Sequence, residues 1–370
     1  MRNNQNYSVI YMLLLCVIAR MAVACSSSPS FKGNEGGDGE DEVWSYRIDP
    51  PSGVKAELYN SEYNVIITWE AVKNADRYVV MRSINESMGY EVLTTNEETT
   101  SFVDLLPRDG KNNYVVYAIS DNEMSEPSAA ASVIYEKEVS FTVNSASFKM
   151  VKVVGGTFEM GQTGWKEYPS YTNEKPVHQV TLFDFCIGAT EVTQDLWEAV
   201  MGSNPSWFKG TNLPVESVSW NDCQEFIKKL NSLTGKNFRL PTEAEWEYSA
   251  RARTNQYWEY SGADESFIDA VAWYRDNSNG ETHVVATKKP NSLGLYDMSG
   301  NVAEWCQDWY GDYGSEAQMN PSGPFSGSIR VSRGGSWFQF ASSCRVSYRG
   351  YAPPSYRGSS YGLRLALSSP

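Results

Sequence analysis

The chain has 370 residues, 41% of them hydrophobic, and a formal net charge of −14. That charge argues against a nucleic-acid binder, which needs clustered Lys and Arg against phosphates, and against docking on anionic lipid. The two histidines, His178 and His283, exclude any site built on three, and with it many zinc and non-haem iron chemistries.

Residues 1–24 read as a signal peptide. Arg2 supplies a positive charge, and the apolar run Ser8–Ala19 is shorter than the ~20 residues a membrane-spanning helix needs. Ala22 and Ala24 precede Cys25, a pattern that resembles the lipobox of bacterial lipoproteins, in which the cysteine carries the lipid. Arg20 is unusually close to the cleavage point, and ordinary secretion with cleavage at the same place is the alternative. The lipobox implies export and a lipid anchor on the bacterial outer membrane, facing the periplasm or the cell surface, as the only membrane contact. Residues 25–42 are Gly/Ser-rich and then acidic, a flexible tether too poor in apolar residues to fold.

Residues 43–137 read as all-β. Tyr63–Val72, Arg77–Ser83 and Asn113–Ser120 are rich in β-branched and aromatic residues and are separated by turn clusters, so a sandwich is expected with Trp69, Tyr78 and Tyr117 in its core. The placing of the Trp in ITWEAV, the Tyr in RYVVMRS and the closing YVVYAIS resembles a fibronectin type III domain. Its expected role is a spacer.

Residues 141–370 have a different texture, with recurrent Gly and Trp and three helical patterns. Glu191–Gly202 carries Val192, Leu196 and Val200 on one face. Ser219–Gly235 spaces Cys223, Phe226, Ile227 and Leu230 at helical intervals and stops at a glycine. Pro241–Ala252 opens with Pro241 and has Glu243 and Glu245 in its first turn, where helix capping and pairing with Arg239 or Arg251 outweigh an acid–base role.

Within this part VVGGTFEMG, KPVHQVTLFDF, ATEVTQDLW, LPVESVSWNDC, FRLPTEAEWEYSARA, NSLGLYDMSGNVAEWCQDWY, RVSRGGSW, CRVSYRG and YGLRLAL follow in order. Together they resemble the formylglycine-generating enzyme, or sulfatase-modifying factor, family over about 230 residues. The resemblance implies an α+β, C-type-lectin-like domain with much irregular structure behind the β-sandwich. It also implies an oxidase that converts the cysteine of a Cys-X-Pro-X-Arg stretch to formylglycine with Cu(I) between two thiolates, a soft metal on soft ligands. Ser336 matches the serine of the family's GGS turn. Counting on, the first copper cysteine falls at Gln339 and the second at Cys344. A glutamine amide cannot replace a thiolate, so bound Cu(I) is not expected, and Cys344 and Ser336 are catalytic candidates only if the chain is an enzyme.

Three readings of Cys344 therefore stand: surviving thiolate, half of a disulfide with Cys306, or a small buried hydrophobe. Cys186 and Cys223 read as packing residues. The family also implies a structural Ca²⁺ in the loop Asp297–Trp305, with side chains from Asn301 and Glu304 and carbonyls from Gly300 and Val302; the alternative is a turn with Glu304 paired to an arginine. The favoured function is noncatalytic binding of an envelope protein or peptide through an aromatic and Arg-rich surface at Trp337, Arg345, Tyr348 and Arg349. A formylglycine-type oxidase and a glycan-binding lectin-like module are the rivals.

Overall fold

Uninterrupted runs of β-branched and aromatic residues build the first part of the chain. In the computed structural model, which describes residues 48–59, 64–83, 89–105, 107–120, 123–163, 172–252 and 258–368, the chain divides into two units, Met1–Lys137 and Glu138–Pro370. The signal peptide, the tether and Cys25 lie outside the described residues. Among the described residues no helix is long and apolar enough to cross a membrane.

The first unit runs β1 (Lys55–Tyr59), β2 (Asn64–Thr68), β3 (Arg77–Ser83), β4 (Glu91–Glu97), β5 (Ser101–Asp104), β6 (Gly110–Ser120), β7 (Glu123–Met124) and β8 (Ala131–Tyr135). One sheet has the order β1-β2-β5; the other has β4-β3-β6-β7, with β8 also on β6. Strand side chains alternate between faces. Tyr78 and Val80 of β3, with Tyr114, Val116 and Ala118 of β6, meet Val65, Ile67 and Trp69 in one core. Val79, Met81, Val115, Tyr117 and Ile119 face the other way into a second cluster closed by Tyr90, Val92 and Met124. Both faces of the central pair are buried, which is why these strands read as continuous apolar runs. Trp69 and Tyr78 meet edge to face at 5.2 Å, and the Tyr78 hydroxyl accepts from Val72 N at 2.9 Å.

The second unit is mostly β in several small sheets, held by short helices and long loops. Its elements are β9 (Glu138–Val143), β10 (Ala146–Val153), β11 (Gly156–Met160), β12 (His178–Leu182), β13 (Phe185–Gly188), α1 (Gln194–Met201), α2 (Trp220–Thr234), β14 (Phe238–Arg239), α3 (Glu243–Ala250), α4 (Ile268–Val271), β15 (Ala303–Trp309), β16 (Gln318–Met319), β17 (Arg330–Arg333), β18 (Gly350–Ala352), β19 (Tyr361–Gly362) and β20 (Ala366–Ser368). The sheets are β14-β20-β13-β10-β9, β11-β12-β16 and β18-β17-β15-β19. Helix boundaries follow local chemistry. Thr193 caps α1; Ser219 with Asp222, and Thr242 with Glu245, form capping boxes on α2 and α3; Gly202 and Gly235 close α1 and α2 in left-handed geometry. Helix α3 is buried all round, with Trp246 and Tyr248 packed in the main core beside Phe158, Phe185 and Met298.

Candidate functional site

The site grows from β17. The strand ends in Gly334–Gly335, both at positive φ (90° and 68°). A Cβ on Gly335 would lie 2.5 Å from Ser343 O and 2.8 Å from Cys344 Sγ, so only glycine lets this turn press on the following 3₁₀ turn, Ala341–Ser343. Ser336 is buried, accepts from Gln339 N at 3.0 Å and sets its hydroxyl 3.3 Å from Gln339 Oε1. The Gln339 carbonyl in turn accepts from Arg275 N at 2.9 Å. Gln339 is thereby fixed on the wall of a 170 Å³ cleft that is also lined by Ser332, Tyr348, Tyr351 and Tyr361. Around it Phe338, Phe340, Tyr351 and Tyr356 are exposed. Trp337 anchors this rim: its ring meets Phe208 at 5.2 Å and its Nε1–H donates to Ser359 O at 2.9 Å.

Cys344 is not in the cleft wall. It is fully buried in a satellite cluster with Tyr260, Ile268, Val271 and Tyr274, and burial pushes its thiol up to about 12. Burial thus favours the protonated thiol at neutral pH. Cys306 sits on β15 in the main core, where burial raises its thiol as well. The expected Cys306–Cys344 disulfide is corrected here: both are free buried thiols, assigned by the fold to different hydrophobic clusters. Cys186 and Cys223 are also buried, on β13 and on the apolar stripe of α2.

Two residues of the expected binding surface are corrected too. Arg345 and Arg349 are interior. Arg345 forks onto the buried carboxylate of Glu174, which also accepts from Ser347 Oγ at 2.7 Å. Arg349 Nε and Nη2 donate to Glu243 at 2.7 and 2.8 Å, and its Nη1 donates to the carbonyls of Asn173 and Gly311. Glu243 also accepts from Arg333, which reaches on to Glu247. These guanidiniums are structural crosslinks in a fold short of regular elements; Arg345 and Arg349 are held by carboxylate, carbonyl and hydroxyl oxygens, whereas Arg333 keeps a buried Nε without a partner. Trp337 and Tyr348 are half-buried beside the cleft.

In the loop Asp297–Trp305 the residues do not fit the expected calcium set. Both Glu304 oxygens accept from the Arg364 guanidinium, and Glu304 Oε2 accepts from Trp246 Nε1 at 2.6 Å. Asn301 Oδ1 accepts from His283 N, and its amide donates to Glu191 and to His283 O. Glu191 also accepts from Val302 N at 3.0 Å. Gly300, at φ 87°, runs against the Trp273 backbone. Arg364 stands on the very carboxylate that would ligate the cation. Glu191 was not singled out from the sequence. Burial, then repulsion from Asp297 and Glu304, raises its carboxyl well above the usual range, and Asp297 rises to about 6, chiefly by burial.

Residues 137–369 match the model of the sulfatase-modifying factor enzyme 1-like domain. The chain belongs to this family. Among relatives of this sulfatase-modifying factor chain, a protein named chaperone protein LppX from Paenibacillus barcinonensis is 33% identical over 275 residues, 60% of this chain and 91% of that protein. The formylglycine-generating enzyme of Streptomyces coelicolor is 30% identical over 285 residues, 58% of this chain and 88% of that protein. Among solved structures, Treponema denticola variable protein 1 superposes with a TM-score of 0.58 at 36% identity, over 63% of this chain and 99% of that one. PvdO from Pseudomonas aeruginosa gives 0.53 at 28% identity, over 62% and 98%. The sulfatase-modifying factor unit of this chain does not fit Cu(I): one thiol is sealed in a core and a glutamine amide faces the cleft.

Proposed function

We propose that the second unit is a noncatalytic binding domain, carried on an exported and lipid-anchored protein, that holds a polypeptide segment of an envelope protein at the Gln339 cleft. The observation that carries this reading is the fixed Gln339 amide on the cleft wall, with Cys344 buried and protonated behind it. An amide and tyrosine hydroxyls offer paired donors and acceptors suited to a peptide backbone, and the exposed aromatic rim supplies apolar area at little entropic cost. The name of the LppX relative, a chaperone, agrees with a protein-binding role. The first unit, with three strands facing five across one core, is read as a fibronectin type III-like spacer, and the Cys25 lipobox as its anchor.

The test has two arms. The protein is incubated with Cu(I), oxygen and a Cys-X-Pro-X-Arg peptide beside an active formylglycine-generating enzyme, and aldehyde is sought by mass spectrometry. None is expected; conversion that disappears in Cys344→Ala would return the domain to the oxidases. In the second arm, aggregation of a chemically unfolded exported protein is followed by light scattering. Suppression by the wild type and its loss in the Phe338→Ala/Tyr351→Ala double variant are expected; equal suppression by both would remove the cleft from the binding role.

A further inference from the structure

A second cavity, of 310 Å³, lies on the other side of Arg349, which walls both it and the cleft. Its floor is Asp308 of β15, its sides are His178 of β12 and the start of α3, and its mouth carries Asp312 and Gln318. Three carboxyl groups line it, Glu243, Asp308 and Asp312, against one arginine. Glu243 and Arg349 neutralise each other, and every nitrogen of that guanidinium is engaged. Asp308 is left over. It is only 3% exposed, yet among the described residues it has no ion pair, and its one side-chain hydrogen bond is accepted at Oδ2 from Glu243 N, 2.9 Å. Oδ1 points past Gly323, where even a Cβ would stand 3.2 Å from it.

A buried carboxyl without a cation resists ionisation. Burial first, then the Glu243 charge, raises Asp308 to about 8, with Glu245 adding to the rise and Arg349 opposing it. The other charged groups near it are Arg330, held between the Trp220 and Trp309 rings, and Asp312 at the mouth; the remaining titratable walls are His178 and Tyr313, whose hydroxyl donates to Glu243 and is held protonated by burial. His178 Nδ1 lies 3.1 Å from Pro176 O and so carries the ring hydrogen, leaving Nε2 as an acceptor in the neutral ring.

We propose that this cavity binds a primary alkylammonium group, with Asp308 as its counter-ion. One free carboxylate oxygen suits the compact charge of an ammonium better than the two-pronged fork of a guanidinium. His178, Gln318 and Asp312 line the same cavity and bring further acceptors to it, which a buried ion pair requires. The balance is simple: the neutral Asp308 carboxylic acid gives its proton to solvent as the cation enters, and no covalent bond changes.

Calorimetry of the full protein with n-butylamine tests this, with N-acetyl-lysine methylamide as the protein-side-chain arm and n-butanol as the uncharged control. Affinity should tighten about 20-fold between pH ~6.5 and ~8.5, because the ionised fraction of a group near 8 rises by that factor while the amine stays charged. Buffers of different ionisation enthalpy should report close to one proton released, a readout that needs no variant. Asp308→Asn should abolish binding, whereas Gln339→Ala in the neighbouring cleft should leave it intact, so this site and the peptide cleft fail separately. Tighter binding of the lysine derivative would assign the ammonium to a protein partner, and equal binding to a free small amine. A pH-independent affinity, binding of n-butanol as strong as that of the amine, or unchanged binding in Asp308→Asn would overturn the proposal.

Discussion

Asp308→Asn should make the protein more stable, and the gain should depend on pH in a defined way. In the folded chain the carboxyl titrates near 8, against an ordinary value of 3.8. Between those values the unfolded chain has released the proton and the folded chain still holds it, so stability falls as pH rises, by about 1.4 kcal/mol per unit. Across the full interval this amounts to roughly 6 kcal/mol, lost by about pH 8 and constant above it. Asparagine keeps an oxygen to accept from Glu243 N and never ionises, so it escapes this loss. Its amide is left facing the cavity, a cost of about 1–3 kcal/mol at any pH, which trims the observed gain to about 3–5 kcal/mol at pH ~8. Urea unfolding of wild type and variant, repeated from pH ~4 to ~9, measures the difference. The variant should start about 1–3 kcal/mol below the wild type near pH ~4, cross it as the pH rises and run parallel above it beyond pH ~8. A constant offset, or a variant less stable than wild type at alkaline pH, would refute the assignment of an unpaired carboxyl to this floor.

Arg345→Met leaves the Glu174 carboxylate buried without its partner and should cost about 3–5 kcal/mol in the same unfolding assay, with much of it recovered in Arg345→Met/Glu174→Met. Glu243 behaves oppositely to Asp308. Although burial opposes its charge, Arg349 and Arg333 hold it below its usual 4.5, so its stabilisation is present above that value and drains away as pH falls through the lowered one. Glu243→Gln should flatten this acid limb of the stability profile. Alkylation with mass mapping should leave Cys186, Cys223, Cys306 and Cys344 unmodified in native protein and label all of them once it is unfolded. Rapid native labelling of Cys344 would contradict its burial. Gly335→Ala, strained by positive φ and pressed on Ser343, should lose about 2 kcal/mol or more.

The helices and the central strands were legible because their signals are local. The helical spacing of Cys223, Phe226, Ile227 and Leu230, Gly235 as a stop, and the β-branched and aromatic run in Arg77–Ser83 each act within a few residues. The pairing of Glu245 with Arg239 was equally readable, since the two are close in the chain. The interior arginines were not. Arg345 and Arg349 stand in an aromatic, Gly-rich stretch that reads as surface, and their partners Glu174 and Glu243 lie 171 and 106 residues away. Asp308 gave no signal either. One carboxylate in CQDWY is unremarkable until β15 carries it under α3 and the loop around Gly323 closes over it. The family resemblance alone showed that Gln339 stands where a thiol is expected, but the sealing of Cys344 needed the turn at Gly335 and the cluster around Tyr260.

The placement of β20 has a consequence for how this protein is made. Residues 366–368 form an interior strand, hydrogen-bonded to β13 on one side and β14 on the other. A ribosome that has delivered everything before them has delivered a sheet with a gap in its middle, and the loop closures this topology demands are long and slow. Folding of the unit must therefore follow synthesis of these residues rather than keep pace with it.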